Sequence, residues 1–281
     1  MQNSDSNQDN VPKSGRSRIA AAFRKAQQRQ IAALMPYFTL GYPDRETSMA
    51  VVEAIASYSD LIELGVPFSD PLADGPTIQR STQIALEGGT TTAACLEMVS
   101  ALRQRGVDTP VMLMGYYNPI LAYGEAQYVR DAAAAGADGF IVPDLPPEEA
   151  RGLEQLADAA GLALIHFLAP TSSPARIGNV TARAQGFIYL VSLTGVTGAR
   201  RRLQQDLADF VARVRAKTSL PLAVGFGIST PEQAAAVGRL ADGVIVGSAL
   251  INAADTAANE NKPEAAAKFV RSLQQALISN P

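Results

Sequence analysis

Two carboxylates frame the most telling stretch of this sequence. Glu63 stands inside the apolar run Asp60-Leu-Ile-Glu-Leu-Gly65, and Asp74 lies in the following loop, Val66-Pro-Phe-Ser-Asp-Pro-Leu-Ala-Asp-Gly-Pro76. A carboxylate in a buried strand is costly to ionise unless it is paired or used. The strand supplies no basic partner, so burial is expected to raise the pKa of Glu63. A carboxyl so shifted can give and take a proton near neutrality. The structural alternative is an ion pair with an Arg or Lys from elsewhere in the chain. Asp74, in a turn shaped by Gly and Pro, is expected to be more exposed and ionised, an acceptor for a polarised N–H or O–H. Taken alone, that residue also suits a turn-forming role.

Two glycine-rich loops suggest an anion pocket. One is Gly225-Phe-Gly-Ile-Ser-Thr-Pro-Glu-Gln233, where Thr230, Pro231 and Gln233 predict a capped helix start with a capping box. The other is Val246-Gly-Ser-Ala-Leu250, which opens a short extra helix. Glycines admit phosphate oxygens close to the backbone, and free N–H groups supply positive potential without lysine. Either loop alone reads as a tight turn; as a pair they predict phosphate binding. A third loop, Thr194 to Arg202, has the composition of a mobile lid or of a solvated surface loop.

Other chemistry-bearing residues fit no such pattern. His166, the one histidine, lies within an apolar run and reads as a hydrogen-bonded core residue. Cys95, the one cysteine, sits in a helical pattern and reads as a small buried hydrophobe. Tyr189 ends an apolar run and suits either a cavity wall or the core. No His/Cys cluster predicts a metal site, and no Walker or Rossmann fingerprint is present.

These residues need a scaffold that brings strand ends together. After a polar stretch at residues 1–16, expected to be a disordered tail, short apolar runs alternate with longer amphipathic ones through a single domain, residues 17–281. A leading helix over Ser17 to Gln30 is followed by eight βα units. The strands are expected at Ala32–Leu40, Asp60–Gly65, Pro110–Met114, Gly139–Val142, Leu162–Phe167, Gly186–Val191, Leu220–Val224 and Gly243–Val246. Among the intervening helices, one is expected near Glu125–Ala135 and one over Pro147–Ala160. The strands are continuous apolar runs, as in a parallel sheet covered on both faces. Strict alternation over this length predicts an α/β fold, a (β/α)8 TIM barrel, with an open doubly wound sheet as the alternative. Asp60-Leu-Ile, Asp138-Gly-Phe-Ile-Val and Asp242-Gly-Val-Ile-Val repeat one junction pattern.

Composition narrows the class. The 281 residues are 47% hydrophobic and 18% charged, enough for a sizeable core. The 24 basic and 27 acidic residues nearly cancel, so no basic field is available for nucleic acid or an anionic membrane. No apolar run is long enough to span a bilayer. A lone cysteine suits a reducing cytoplasm, and the N-terminus carries no clear signal or transit peptide, although a plastid location stays open.

From about residue 17 onward the chain resembles the tryptophan synthase alpha subunit family. The resemblance rests on Leu61-Ile-Glu-Leu-Gly-Val-Pro-Phe-Ser-Asp-Pro-Leu-Ala-Asp-Gly-Pro-Thr-Ile-Gln79. Supporting motifs are Phe38-Thr-Leu-Gly-Tyr-Pro43, Pro143-Asp-Leu-Pro146, Tyr189 to Gly198, Gly225-Phe-Gly-Ile-Ser229 and Val246-Gly-Ser-Ala249. It implies retro-aldol cleavage of indole-3-glycerol phosphate to indole and glyceraldehyde 3-phosphate. It also implies Glu63 as the acid/base group and Asp74 as the holder of the indole N–H. Tyr37 and Tyr189 would line the substrate site, Thr197 would engage the aspartate from the lid, and Gly198, Gly227, Gly247 and Ser248 would hold the phosphate. Tyr37 falls where the family often has phenylalanine, and Leu193 where some members have arginine. The resemblance further implies no cofactor in this chain and a beta subunit partner, in an alpha2beta2 assembly, that carries pyridoxal phosphate. Pro67–Pro76 and Pro143–Pro147 are the expected contact surfaces. A lyase acting without a beta partner, and a silent barrel that only activates a partner, are the alternatives.

Overall fold

The computed structural model describes residues 14–191, 200–225 and 227–279. The chain runs α1 (Gly15–Gln28), β1 (Ala33–Thr39), α2 (Arg45–Ala56), β2 (Ile62–Gly65), α3 (Pro76–Glu87), α4 (Thr92–Gln104) and β3 (Val111–Met114). It continues through α5 (Tyr117–Tyr123), α6 (Glu125–Ala135), β4 (Gly139–Ile141), α7 (Arg151–Ala159), β5 (Ala163–Leu168), α8 (Pro174–Arg183) and β6 (Ile188–Val191). It closes with α9 (Arg200–Arg215), β7 (Leu222–Gly225), α10 (Pro231–Gly238), β8 (Gly243–Val246), α11 (Ser248–Ala254) and α12 (Lys262–Ser279). The strands pair in parallel in chain order, and β8 closes on β1. This is the expected (β/α)8 barrel, and it excludes the open sheet.

Period-two alternation sorts each strand into an inner and an outer set. Ala33, Met35, Leu61, Met112, Ile165, Tyr189, Ala223 and Ile245 pack together in the barrel interior. Residues of the opposite parity, such as Leu34, Phe38, Ile62, Leu64, Val111 and Leu113, pack outward in the layer shared with the helices. Helix α1 plugs the interior from below through Ile19, Phe23 and Ala26, with the Phe23 and Phe187 rings 5.6 Å apart. Burying each large side chain of this kind contributes about 1.5–3 kcal/mol. Ser14 caps α1 by accepting from Ser17 N–H, so the helix begins two residues before the expected Ser17.

The repeated aspartate junctions have a mechanical cause. Asp60 accepts from Leu34 N–H at 3.0 Å, Asp138 from Val111 N–H at 2.7 Å and Asp242 from Leu222 N–H at 2.7 Å. Each therefore ties the entry of its own strand to a neighbouring one, and each is held by arginine: Arg29, Arg18 with Arg103, and Arg215, respectively. This ring lies at the strands' N-terminal ends and leaves the C-terminal mouth free for chemistry.

Two local readings need correction. Helix α7 begins at Arg151 rather than Pro147, because the Pro146-Pro147 pair sends the chain through a turn in which Glu149 N–H donates to Pro146 O. Helix α5 was not expected; it is one short segment ended by Gly124, and Pro119 in its first turn obscures the pattern.

Candidate active site

Strand β2 places Glu63 on the inner face, in register with Tyr37 of β1 and Met112 of β3. Its side chain is only 1% exposed, and neither carboxyl oxygen has a hydrogen-bond partner among the described residues. The alternative of a structural ion pair is not realised. Burial pushes its pKa from 4.5 up to about 8, so the protonated form predominates near neutrality.

After β2 the chain turns outward through Val66–Gly75 and returns as α3, which carries Pro at its first turn. Asp74 sits on this loop facing the same cavity as Glu63. It is less exposed than expected: burial raises its pKa to about 6, opposed by the hydrogen bond from Tyr116. Tyr116 was not singled out from the sequence. Its hydroxyl donates to Asp74 Oδ2 at 3.0 Å and accepts from Ala73 N–H at 2.9 Å, while its ring packs on Phe68 at 5.4 Å. One side chain beyond β3 thus latches the whole loop. The signal available was position, an aromatic just past the C-terminal end of a barrel strand.

Removing this latch has a defined consequence. Tyr116→Phe keeps the ring contact but leaves Asp74 and Ala73 without their hydroxyl. The Asp74 pKa should rise further above 6, because the bond being lost is the one that lowers it. The acid limb of the pH–rate profile should move to higher pH, with kcat/KM reduced roughly tenfold at neutrality. An unmoved acid limb would show that the latch does not tune Asp74.

Tyr37 and Tyr189 reach the mouth from opposite halves of the barrel. Each hydroxyl stands over a glycine of the next strand: a Cβ on Gly65 would overlap the Tyr37 hydroxyl, and one on Gly225 the Tyr189 hydroxyl. Burial raises both phenol pKa values, so both remain protonated. Across the mouth, Gly227 has φ +75°, a left-handed conformation that side chains resist. The next turn is fixed by Gln233, whose Oε1 accepts from Ser229 N–H at 2.8 Å, while Thr230 caps α10 by accepting from Gln233 N–H. The expected capping box is therefore shifted by one residue, and the shift anchors the Gly227–Ser229 loop.

A single cavity of about 250 Å³ gathers Tyr37, Glu63, Asp74, Tyr189, Gly227, Gly247 and Ser248. Ile78, Met114, Ile228, Ile245 and Asn252 also line it and were not foreseen as site residues. Thr197 and Gly198, the lid from Thr194 to Arg202 and Leu193 fall in or across residues 192–199, outside the described residues. His166 points outward from β5, with Nε2 2.8 Å from Glu154, and takes no part in this cavity. Cys95 is buried in α4, and burial pushes its thiol pKa up. Among the described residues, no group of His, Cys, Asp and Glu could hold a metal ion, and no helix is long and apolar enough to cross a membrane.

Chemically, the cavity joins a neutral carboxyl, an ionisable carboxylate and a glycine-lined, uncharged far wall. Comparison with known proteins gives a consistent picture. Residues 23–278 match the family model described as the tryptophan synthase alpha chain. The chain is 54% identical over 262 residues to the tryptophan synthase alpha chain of Chloroflexus aurantiacus, covering 93% of this chain and 98% of that one. Among solved structures, tryptophan synthase subunit alpha from Legionella pneumophila superposes with a TM-score of 0.85 at 39% identity, covering 92% of this chain and 98% of that one. An aminoacrylate-bound form of tryptophan synthase from M. tuberculosis matches with a TM-score of 0.83 at 36% identity, over 92% and 99% of the two chains.

Proposed function

The chain belongs to the tryptophan synthase alpha chain family, lyase-type enzymes of tryptophan synthesis, and from that premise we propose that it cleaves indole-3-glycerol phosphate into indole and glyceraldehyde 3-phosphate. The observation that carries this reading is the placement of the unpartnered Glu63 carboxyl in one cavity with Gly227, Gly247 and Ser248.

The chemistry follows from the two carboxylates. With its pKa near 8, Glu63 begins as the acid and gives its proton to indole C3. Positive charge then develops at the indole nitrogen. Asp74, ionised above about pH 6, accepts the N–H hydrogen bond and stabilises that charge. Glu63 is now a carboxylate in a site that disfavours carboxylates, hence a stronger base than an exposed one. It removes the proton of the adjacent side-chain hydroxyl. The aldehyde C=O forms, the bond to C3 breaks, and its electron pair restores the aromatic ring. One proton enters and one leaves through the same side chain, so no net proton transfer is required.

Backbone amides around Gly227 and Gly247 and the Ser248 hydroxyl would hold the substrate phosphate, joined by Gly198 when the lid closes. Thr197 would meet Asp74 in the same closure. The reaction requires no cofactor in this chain. A beta subunit carrying pyridoxal phosphate would consume the indole within an alpha2beta2 assembly. Its docking surface is the loop that holds Asp74, where Leu72 is 93% exposed, together with the turn Pro143–Pro147. The prolines of both segments limit the entropy lost on docking.

The test is release of indole from indole-3-glycerol phosphate by the purified chain, measured alone and with a beta subunit. Indole release by the chain alone, increased by the partner, is expected. No indole under either condition would overturn the assignment.

A further inference from the structure

An acidic side chain at the C-terminal end of a helix opposes the helix dipole, so helix stability does not account for Asp255, which directly follows α11. Its partners come from three other elements. Lys262, buried at the start of α12, places Nζ 2.7 Å from Asp255 Oδ1. The Tyr42 hydroxyl, from the turn between β1 and α2, donates to the same carboxylate at 2.8 and 2.9 Å. Arg80 of α3 pairs with Asp255 Oδ2 and donates to the Tyr42 hydroxyl at 3.2 Å, with its guanidinium 5.8 Å from the centre of the Tyr42 ring. Burial alone would raise the Asp255 pKa, but Lys262, Arg80 and Tyr42 outweigh it and hold the carboxyl below its usual range.

The two helices joined by Arg80 and Asp255 carry opposite ends of the proposed substrate site. Asp74 is fixed to α3, because Gln79 Nε2 donates to Asp74 O at 2.9 Å and Gly75 leads straight into the helix. Gly247 and Ser248 open α11. Between these ends the helices touch. A Cβ on Gly247 would lie 3.5 Å from Ile78 Cδ1, and Thr77 Oγ1 donates to Asn252 Oδ1 at 3.4 Å. Ile78 and Asn252 both line the cavity, whereas Arg80 and Asp255 do not. The ion pair therefore acts on the cavity through the helices that it joins.

We propose that Asp255, acting through Arg80, is a positioning residue: it holds α11 against α3, sets the distance between Asp74 and Ser248, and so sets the length of chain accepted between an aromatic ring and its phosphate. This rests on the cavity being the indole-3-glycerol phosphate site. It extends that reading by assigning what measures the three-carbon chain of that substrate.

The experiment compares dissociation constants of indole-3-alkyl phosphates with two, three or four carbons in the chain, by calorimetry. The wild-type chain should bind the three-carbon compound about tenfold more tightly than either neighbour, the scale of one misplaced methylene. Arg80→Gln is the main variant, since Arg80 is about half exposed and Asp255 keeps Lys262 and Tyr42. Its preference for three carbons over four should fall about fivefold, the upper range for one partly exposed ion pair. Asp255→Asn should move the ratio in the same direction, and Arg80→Lys, which keeps a cation facing Asp255, should retain most of the wild-type ratio. A role in stability alone would lower the melting temperature or weaken all three ligands alike. An unchanged ratio in Arg80→Gln, or a wild type without length preference, would therefore overturn the proposal. Failure of the wild type to bind any of the three compounds would instead count against the lyase reading, and would remove this proposal with it.

Discussion

Glu63→Gln should slow indole release by roughly 10³-fold, the scale of a lost general acid/base, while substrate affinity stays within about threefold. The amide matches the carboxyl in shape and fills the same site, but it cannot transfer a proton to carbon or recover one from a hydroxyl. Binding is carried elsewhere, by the glycine loops and the apolar wall, so KM should change little. A variant that turned over normally would remove Glu63 from the mechanism.

The same substitution carries a stability signature. The folded-state pKa of Glu63, about 8, lies above its ordinary 4.5, so the folded chain holds a proton that the unfolded chain loses between those values. The associated stability is fully present below pH 4.5 and is lost as pH rises through this window. In chemical denaturation, wild-type stability should therefore fall more steeply from about pH 5 to about pH 8 than that of Glu63→Gln. A buried acid kept ready for chemistry costs the fold stability at the pH where it works.

Gly227→Asp is expected to have the second largest effect, raising KM about 100-fold with the fold retained. Two causes act together. At φ +75° a side chain strains the backbone by about 1–2 kcal/mol. The new carboxylate also stands at the cavity wall proposed to take the phosphate, where like charges repel. Gly227→Ala separates these causes, since it brings the strain without the charge and should give the smaller loss. Equal substrate affinity in wild type and Gly227→Asp would contradict the glycine-lined phosphate pocket.

The scaffold could be read from sequence because barrel strands advertise themselves. Runs such as Val111–Met114 and Gly243–Val246 are apolar on both faces, and the aspartate preceding a strand recurs because it ties neighbouring strand entries together. Glu63 stood out for the complementary reason, a charge-bearing group where the pattern demands none. The relations that tune the site were not legible. Tyr116 reaches Asp74 across 42 positions of sequence only because the loop folds back over β3. Asp74 is more buried than its loop composition suggested, since Tyr116 draws it inward. Such contacts depend on tertiary packing, to which local periodicity is blind.

The most direct measurement is the protonation state of Glu63 itself. Infrared difference spectra of ligand-free wild type against Glu63→Gln would isolate its carboxyl. A protonated C=O band at about pH 7 that disappears with a midpoint near 8 is expected. A carboxylate band already complete at about pH 6 would mean that the side chain does not enter the reaction as an acid, and the mechanism built on it would fail.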